Sequence, residues 1–545
     1  MAPVPPERPW LRLVVVGVAA ALVVERLFAL AAAAPTDFDD AYMFVRYADN
    51  LRGGFGLVWN RGGEPVYGAT GLGHLAVVTA VRALAPGWPD WRALGVASAA
   101  AAVAALAVAS GLLARLGTHP WLRGSPLRGL VVLVPAVAYS EAFGFHAASG
   151  MDTMSSLLAN ICLVYVALVL AERRRPRDAV ACAAVAWLAI EARPDAAPLA
   201  LLTPLLSIAI FGRPRRRGLV AAFGLPVVGL LALSLTAKHH WLGTALPLSW
   251  WAKRPHAYGG FAGEYTWNPF WFLAVFLRAA TPLLVVLVLA TRRRHGGALV
   301  MLLLPVVVTF AALFGVNQIM GHLGRFYFPS LASFIGAAAL VSDGLVSLGW
   351  RRLAGRAALA VALLVGGGAA LDAAGRRYEA RAAGQPLADL GGYRIAAAVP
   401  LPELDSWQAA TEMAALARAA PAGARLAMTE HGLVAARAPD ANIIDLVGLH
   451  DRWFALHGFS AAELFRRQPE LIWMPHPDYT QMIRDILDDD DFWRDYDFYP
   501  DALTFGVALR RGGPRALALR RLFTARFAAD HPGLSVDDYR AWRTR

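Results

Sequence analysis

Three carboxylates, Asp37, Asp39 and Asp40, directly follow a long apolar segment at residues 10–34. An ionised carboxylate costs several kcal/mol in hydrocarbon, so these acids must face water, a cation or a bound substrate. A carboxylate held in such a place can also accept a proton during a reaction. We therefore treat this acid cluster as a candidate active site.

The acids begin a segment, residues 39–51, whose composition predicts a helix. Carboxylates at a helix N-terminus suit both capping and the helix dipole, and Gly53 would end the helix. On this helix Asp39, Arg46 and Asn50 share one face. These side chains could line the binding site of a polar substrate. They are equally explained without a substrate, by a capped helix in which Asp39 and Arg46 form an ion pair.

The overall composition is that of a polytopic membrane protein. Of the 545 residues, 57% are hydrophobic and 17% are charged, with a mean hydropathy of +0.45, which is more apolar than a soluble domain requires. Cys162 and Cys182 lie in apolar segments, so they predict neither a disulfide framework nor a thiolate metal site. The net charge of +12 comes in large part from arginines in short loops and does not indicate nucleic-acid binding.

Apolar segments long enough to cross a bilayer recur along the chain. The segment at residues 70–84 is short for a crossing, so we predict that it lies in the membrane interface; if it crossed, the topology would invert. We predict about eleven transmembrane helices, at residues 11–34, 93–115, 129–147, 154–172, 178–192, 196–211, 218–237, 271–290, 297–316, 326–346 and 355–372.

Arginine clusters in alternate loops set the predicted orientation, because positive residues in short loops mark the cytoplasmic side. These clusters lie at residues 115–128, 173–177, 213–217, 292–294 and 351–356. The first outward loop is then residues 35–92, which carries the acid cluster. The membrane domain is predicted to comprise residues 1–372.

Residues 373–545 are rich in charges and prolines, and loop parity places them outside the cell membrane as a separate domain. Helical and strand-like segments alternate there, which predicts a small α/β domain. The predicted helices are residues 407–418 and 479–487, and the predicted strands are residues 425–429, 442–447, 470–474 and 504–509.

The first outward loop contains an ordered series of short motifs: Asp-Asp-Ala at 39–41, Arg-Tyr-Ala at 46–48, Asn-Leu at 50–51, Gly-x-Gly-Leu-Val-x-Asn at 54–60 and Tyr-Gly-x-Thr at 67–70. This order resembles the first extracytoplasmic loop of bacterial GT-C glycosyltransferases. The class it resembles most is the terminal β-1,2-arabinofuranosyltransferases of the actinobacterial cell wall.

Later motifs follow the same family order, although each is weak by itself. Ser-Gly-Met-Asp-Thr at 149–153 is similar to the family's Ser-Gly-Met-Glu-Thr, and Arg-Pro-Asp at 193–195 is similar to its Arg-Pro-Glu. Residues 243–253, 324–327 and 444–449 also match in order. Leu248 replaces a usual asparagine, and Asn317-Gln318 replaces a more acidic segment, which leaves donor and acceptor specificity open.

The resemblance implies a GT-C fold and transfer of a sugar, arabinofuranose first, from a polyprenyl phosphate to a hydroxyl of a cell-envelope glycan. The reaction would take place on the outer face of the plasma membrane, with the C-terminal domain helping to present the glycan. The implied partners are the lipid-linked donor, the glycan acceptor and the bilayer, and no nucleic acid.

Residue roles follow from this implied chemistry. A hydroxyl acceptor needs a base, for which Asp39 is the first candidate and Asp40 the second. A leaving lipid phosphate needs fixed cations, although each cation could instead contact lipid headgroups and each acid could cap a helix. The predicted phosphate-binding residues are Arg193, Lys253, Arg325 and His322, and the predicted substrate-binding residues are Arg46, Asn50, Asp152, Asp195 and Trp251.

The sequence predicts no cofactor and no metal site. The adjacent pair His239 and His240 does not suit a single ion, and no other histidine spacing supports one. A divalent cation is compatible with the chemistry but not indicated.

Two alternative functions stay open: a GT-C enzyme for another sugar such as mannose, and a lipid or glycan transporter or flippase. Transporters usually contain repeated halves, and the sequence has no such repeat.

Overall fold

The computed structural model describes residues 38–254, 268–316, 318–346, 350–383, 405–500, 502–527 and 536–543, with scattered positions between 14 and 29. Up to residue 383 it is helical. The helices are α1 (Asp39–Arg52), α2 (Leu72–Leu84), α3 (Asp90–Leu116), α4 (Pro126–Leu133), α5 (Glu141–Ala148), α6 (Thr153–Arg173), α7 (Pro176–Ala192), α8 (Ala197–Phe211), α9 (Arg216–Leu242), α10 (Leu248–Ala252), α11 (Pro269–Ala279), α12 (Thr281–Ala290), α13 (Gly296–Leu313), α14 (Leu331–Val341), α15 (Asp343–Val346) and α16 (Trp350–Ala383).

Within the described residues, seven helical segments are long and apolar enough to cross a membrane, or up to nine if each of two bent pairs is one span. The eleven spans predicted from the sequence are therefore not all found. The first one, residues 11–34, lies largely outside the described part of the chain. The one predicted at residues 178–192 forms α7, which has only 17 residues. Helix α2 has 13 residues, fewer than the about 20 needed to cross.

Two predicted spans are broken by local chemistry. The span at residues 271–290 splits into α11 and α12, which meet at 66°, because Pro282 has no N–H and disfavours helical backbone before it. The span at residues 129–147 splits into α4, with its short π-helical continuation, and α5, at 94°. Ser140 begins α5 by accepting a hydrogen bond from the backbone N–H of Phe143.

The long helices alternate between arginine-rich turns and a second set of turns. Helix α6 begins after Asp152 and ends at Arg173, and α7 returns to Arg193. Helix α8 runs to the arginines at 213–217, and α9 returns to the end that carries Lys253. The two kinds of turn are therefore at opposite ends of the helices, so the predicted site residues share one end.

The remaining described residues, 405–543, form an α/β unit that we call the C-terminal unit. Its five strands are β1 (Arg425–Met428), β2 (Asn442–Asp445), β3 (Leu471–Trp473), β4 (Tyr496–Tyr499) and β5 (Val507–Arg510), in the sheet order β2-β1-β3-β5-β4. Strands β2, β1 and β3 are parallel, and β5 and β4 complete the sheet as antiparallel strands. Its helices are α17 (Ser406–Ala419), α18 (Gly432–Arg437), α19 (Arg452–His457), α20 (Ala461–Arg466), α21 (Thr480–Leu487), α22 (Asp490–Asp495), α23 (Pro514–Phe527) and α24 (Val536–Arg543).

The predicted α/β character of this unit agrees with the structure, although strand β4 and six of its eight helices were not among the predicted elements. The boundary predicted at residue 372 falls inside α16, which continues to Ala383. One apolar core includes the buried residues of α1 and those of the sheet, among them Phe44, Leu426 and Ile472. The first outward loop and the C-terminal unit are thus packed into one body.

Candidate active site

Asp39 binds the C-terminal unit directly. Its two carboxylate oxygens accept hydrogen bonds from the backbone N–H groups of Gly432 and Leu433, at 2.8 and 2.7 Å. These N–H groups belong to the first turn of α18, where a carboxylate satisfies donors that have no partner within the helix. A Cβ atom at Gly432 would lie 2.1 Å from the Asp39 carbonyl oxygen, so only glycine permits this approach.

Arg46 binds the other end of the same helix. Its guanidinium donates to the carbonyl oxygens of Ala435, Ala438 and Ala441 at 2.7 to 3.1 Å, and also to the Trp59 carbonyl and the Asn60 side chain. Asp39 and Arg46 are seven residues apart and share one face of α1. The negative Asp39 lies at the N-terminal end of α18 and the positive Arg46 at its C-terminal end, which is the favourable arrangement for the helix dipole. We call this pair the α18 clamp.

Asn50 also stabilises the loop fold. Its side-chain amide donates to the carbonyl oxygens of Val58 and Trp59, and its oxygen accepts from Arg61. Arg46 and Asn50 were predicted to bind substrate. The structure places both inside the packing between the loop and the C-terminal unit, away from the cavity described next.

A central cavity of about 400 Å³ lies where the loop, the membrane helices and the C-terminal unit meet. Its lining combines charged side chains with the apolar side chains of Trp250, Leu313, Val316 and Phe326. The predicted site residues that line it are Asp40, Asp152, Arg193, Asp195, Lys253 and Arg325.

Three of these residues are cations that converge on one aromatic ring. The side chains of Arg193, Lys253 and Arg325 lie 5.3, 5.9 and 5.6 Å from the ring centre of Phe326. Contact with an aromatic face partly compensates the removal of a cation from water. Four separate turns supply Asp152 and these cations, so the cluster exists only in the folded chain.

Asp152 is fully buried and balances part of this charge. Its Oδ1 lies 3.2 Å from Arg325 Nη2 and 3.7 Å from Arg193 Nη1. Burial opposes ionisation, but the two guanidinium groups hold the pKa of Asp152 below its usual range. Arg193 also forms a two-point ion pair with Asp195. Asp152 and Asp195 therefore position the arginines, whatever else they contact.

The cations keep unused hydrogen-bond donors. Among the described residues, Arg193 Nη1 and Arg325 Nε and Nη1 are buried and have no hydrogen-bond partner. Burial lowers the pKa of Lys253, although Asp40 partly opposes this effect. Unpaired buried donors are unfavourable, so the cavity is suited to an anion that accepts several of them.

Asp40 lies at the junction of two cavities. A smaller one of about 100 Å³ shares Asp40, Lys253 and Leu449 with the central cavity and is otherwise lined mainly by the C-terminal unit. Glu430 and Asp478 line this smaller space. Burial and the neighbouring Asp39 raise the pKa of Glu430 to about 8, so its carboxyl group is largely protonated at neutral pH.

Glu430 and Asp478 were not predicted from the sequence, although a signal was available. Both follow parallel strands, β1 and β3, and ligands commonly bind beyond the carboxyl ends of such strands.

The other two predicted residues are not part of the central cavity's lining. His322 lies near Arg325 and Asp40 and packs edge-on against Phe38, at 5.6 Å between ring centres, and Trp251 packs under Arg254. The neighbouring Trp250 lines the central cavity instead.

The fold and this site define a multi-pass helical membrane protein whose α/β unit covers a charged cavity. No protein-family model matches the chain, and no match was found among curated proteins or solved structures. The assignment of function therefore depends on the site and on the sequence motifs.

The α18 clamp predicts a large stability effect at Arg46. Replacing Arg46 by Met leaves several buried carbonyl groups without a donor, at roughly 3 kcal/mol in total, which corresponds to a Tm lower by about 3 °C in a chain of 545 residues. Tryptophan fluorescence during heating of the purified protein in detergent measures this change. Arg52→Met is the control, because Arg52 makes only a surface ion pair with Asp49. Equal Tm values for the two variants would contradict the clamp.

Proposed function

We propose that this protein is a membrane glycosyltransferase that moves a sugar from a polyprenyl phosphate to a hydroxyl group of a cell-envelope glycan. The observation that carries the proposal is the convergence of Arg193, Lys253 and Arg325 beside Asp40. A phosphate leaving group needs fixed positive charge, and an attacking hydroxyl needs a base. Both requirements are met within one cavity.

The buried arginine donors support the phosphate part of the proposal. Arg193 and Arg325 form ion pairs with acids, yet three of their nitrogens make no hydrogen bond among the described residues. Two of these nitrogens lie 3.7 and 3.9 Å from Asp152 and Asp40. A phosphate group accepts several charge-assisted hydrogen bonds at once. It would satisfy these donors and balance the charge of the cavity, whose lining has four cations (Arg193, Lys253, Arg254 and Arg325) and three acids (Asp40, Asp152 and Asp195).

The apolar part of this lining supports a lipid-linked donor. Leu313 and Val316, at the end of α13, line the cavity next to the cations. Val316 and the adjacent Phe314 are exposed, and α13 is one of the helices apolar enough to cross a membrane. We place the first units of a prenyl chain along these apolar side chains, with the phosphate at the cations.

We assign the base to Asp40 and not to Asp39, which was the first candidate. Both oxygens of Asp39 accept backbone hydrogen bonds from α18, which leaves less of the carboxylate available to a substrate hydroxyl. Asp40 faces the central cavity, 3.9 Å from Arg325. The acceptor hydroxyl would approach it from the smaller cavity, whose wall is formed by the C-terminal unit.

The proposed sugar and the proposed orientation of the cavity are both based on sequence features. The ordered motifs of the first loop resemble those of arabinofuranosyltransferases, which is the reason for proposing arabinofuranose as the sugar. The arginine-rich turns lie at the helix ends opposite the cavity, and such turns favour the cytoplasmic side. We therefore propose that the cavity and the C-terminal unit face outward from the plasma membrane.

Asparagine substitutions separate the two aspartates. Asp40→Asn should lower kcat by about 10²- to 10⁴-fold, because the base is lost. Asp39→Asn should keep activity within about tenfold, since an asparagine can still cap α18. The activity of both variants is measured in reconstituted vesicles, as transfer of radiolabelled arabinofuranose from the polyprenyl phosphate to an arabinan oligosaccharide. The Tm of each variant controls for folding. Full activity of Asp40→Asn would overturn the assignment.

A donor panel tests the reaction class. Arabinofuranosyl, mannosyl and other polyprenyl phosphate donors are supplied to the same vesicles, and both sugar transfer and donor movement between leaflets are measured. Transfer from one donor supports the proposal. Movement of the lipid without transfer from any donor would instead identify a flippase.

The lowered pKa of Lys253 predicts a pH effect on donor binding. The ammonium group is charged below its pKa and loses its charge as the pH rises, so the KM for the donor should increase at alkaline pH. In Lys253→Arg the cation stays charged, because arginine titrates above about 12. The alkaline rise in KM should then disappear, while Lys238→Arg serves as the control, because Lys238 pairs with Glu191 and is not part of the cavity lining. A rise of equal size in the wild type and Lys253→Arg would contradict this role.

A further inference from the structure

A second group of reactive side chains lies beside Asp39, at the carboxyl edge of the sheet. His431 follows β1, Asp445 ends β2, and His450 lies in the loop after β2. All three are buried, and one potential ligand atom from each lies within 4.8 Å of those of the other two. The reaction proposed above uses none of them.

Hydrogen bonds fix the carboxylate of Asp445. Its Oδ1 accepts from the backbone N–H groups of Val447 and Gly448, at 2.8 and 3.2 Å. Its Oδ2 accepts from the backbone N–H of His450 at 2.6 Å. The loop that carries His450 is therefore folded around Asp445, which brings one ligand next to another.

The ring of His450 is held in place by two aromatic residues of the loop, Tyr47 and Trp59. Its Nδ1 is 3.1 Å from the hydroxyl of Tyr47, and the ring stacks on Trp59 with 3.9 Å between centres. A histidine that binds a metal through one nitrogen usually makes a hydrogen bond through the other. Tyr47 serves that purpose here, which leaves Nε2 for a ligand.

Two ring nitrogens of the cluster have no partner. Among the described residues, His450 Nε2 and His431 Nδ1 are buried without a hydrogen bond. His431 Nε2 lies 3.2 Å from Asp445 Oδ2. Two ligands of one tetrahedral zinc ion are separated by about 3.4 Å, given bonds of about 2.0–2.1 Å. The observed separation therefore suits joint coordination of one ion.

We propose that His431, Asp445 and His450 bind one divalent transition-metal ion, with zinc as the preferred metal. Two imidazoles and one carboxylate form a common zinc donor set, whereas calcium and magnesium require mainly oxygen ligands. All three ligands belong to the C-terminal unit. Tyr47 and Trp59 of the loop after the first apolar segment only contact the His450 ring, so the ion would lie beside the contact between that loop and the unit. The proposal is independent of the glycosyltransferase assignment.

Two of the ligand residues border open space. His450 lines an open cleft of about 380 Å³ together with Trp59 and Trp453. His431 lines the small cavity that also contains Asp40.

Metal analysis of the full-length protein in detergent tests the site. The protein is stripped with a chelator, loaded with zinc chloride and dialysed, after which the zinc content per chain is measured by mass spectrometry. We expect one retained zinc ion in the wild type and its loss in His431→Gln and His450→Gln. His457→Gln is the matched control, because His457 is an exposed histidine of the same unit and should keep the ion.

Cobalt loading of the wild type provides a test that needs no variant. Bound Co²⁺ should give the intense visible absorption of a tetrahedral site, and equimolar zinc should abolish it. No retained zinc and no such absorption in the folded wild type would overturn the proposal and leave a His431–Asp445 ion pair as the explanation. Zinc retention by His450→Gln equal to that of the wild type would also overturn it.

Tyr47→Phe probes the support of the His450 ring. Loss of the hydrogen bond to Nδ1 should weaken zinc binding by about 10-fold or more, as is usual for groups that orient a metal ligand. Competition with a chromophoric chelator measures this affinity. Unchanged affinity would show that Tyr47 does not orient His450 for an ion.

Discussion

The structure depends on the way α1 holds α18. Asp39 binds the N-terminal amides of this short helix, and Arg46 binds its C-terminal carbonyls. Backbone groups at helix ends need partners when they are buried, and here both sets of partners come from one face of a single helix. This contact fixes the C-terminal unit over the loop. It also sets the position of Asp40 and of the small cavity between the loop and the C-terminal unit.

The central cavity shows how buried charge and function are related. Burying a cation is costly unless an acid or another electron-rich group compensates it. Asp152 and Phe326 compensate Arg193 and Arg325 only in part, and several donors stay unpaired. A fold selected for stability alone would gain nothing from this arrangement. The unpaired donors are understandable if an anionic substrate completes the network when it binds.

Much of the architecture was predictable from local sequence. Continuous apolar segments require a membrane environment, and strands β1, β2 and β3 are short apolar segments with helices between them, which is the pattern of a parallel α/β sheet. The breaks at Pro282 and Ser140 were missed because hydropathy is averaged over a window that hides a single turn. Strand β4 was missed because its polar Asp497 interrupts the apolar pattern, and pairing with β5 is what holds it.

Hydropathy and arginine placement are local properties, so they suffice to predict a multi-pass membrane protein whose candidate site residues share one end of the helices. Which of these residues meet depends on the folded chain. Asp39 and Asp40 are adjacent, but neighbouring residues on a helix point about 100° apart; Asp39 therefore binds α18 and lines the smaller cavity, whereas Asp40 lines both cavities. His431, Asp445 and His450 likewise showed no ligand spacing, because the sheet, and not the chain order, brings them together.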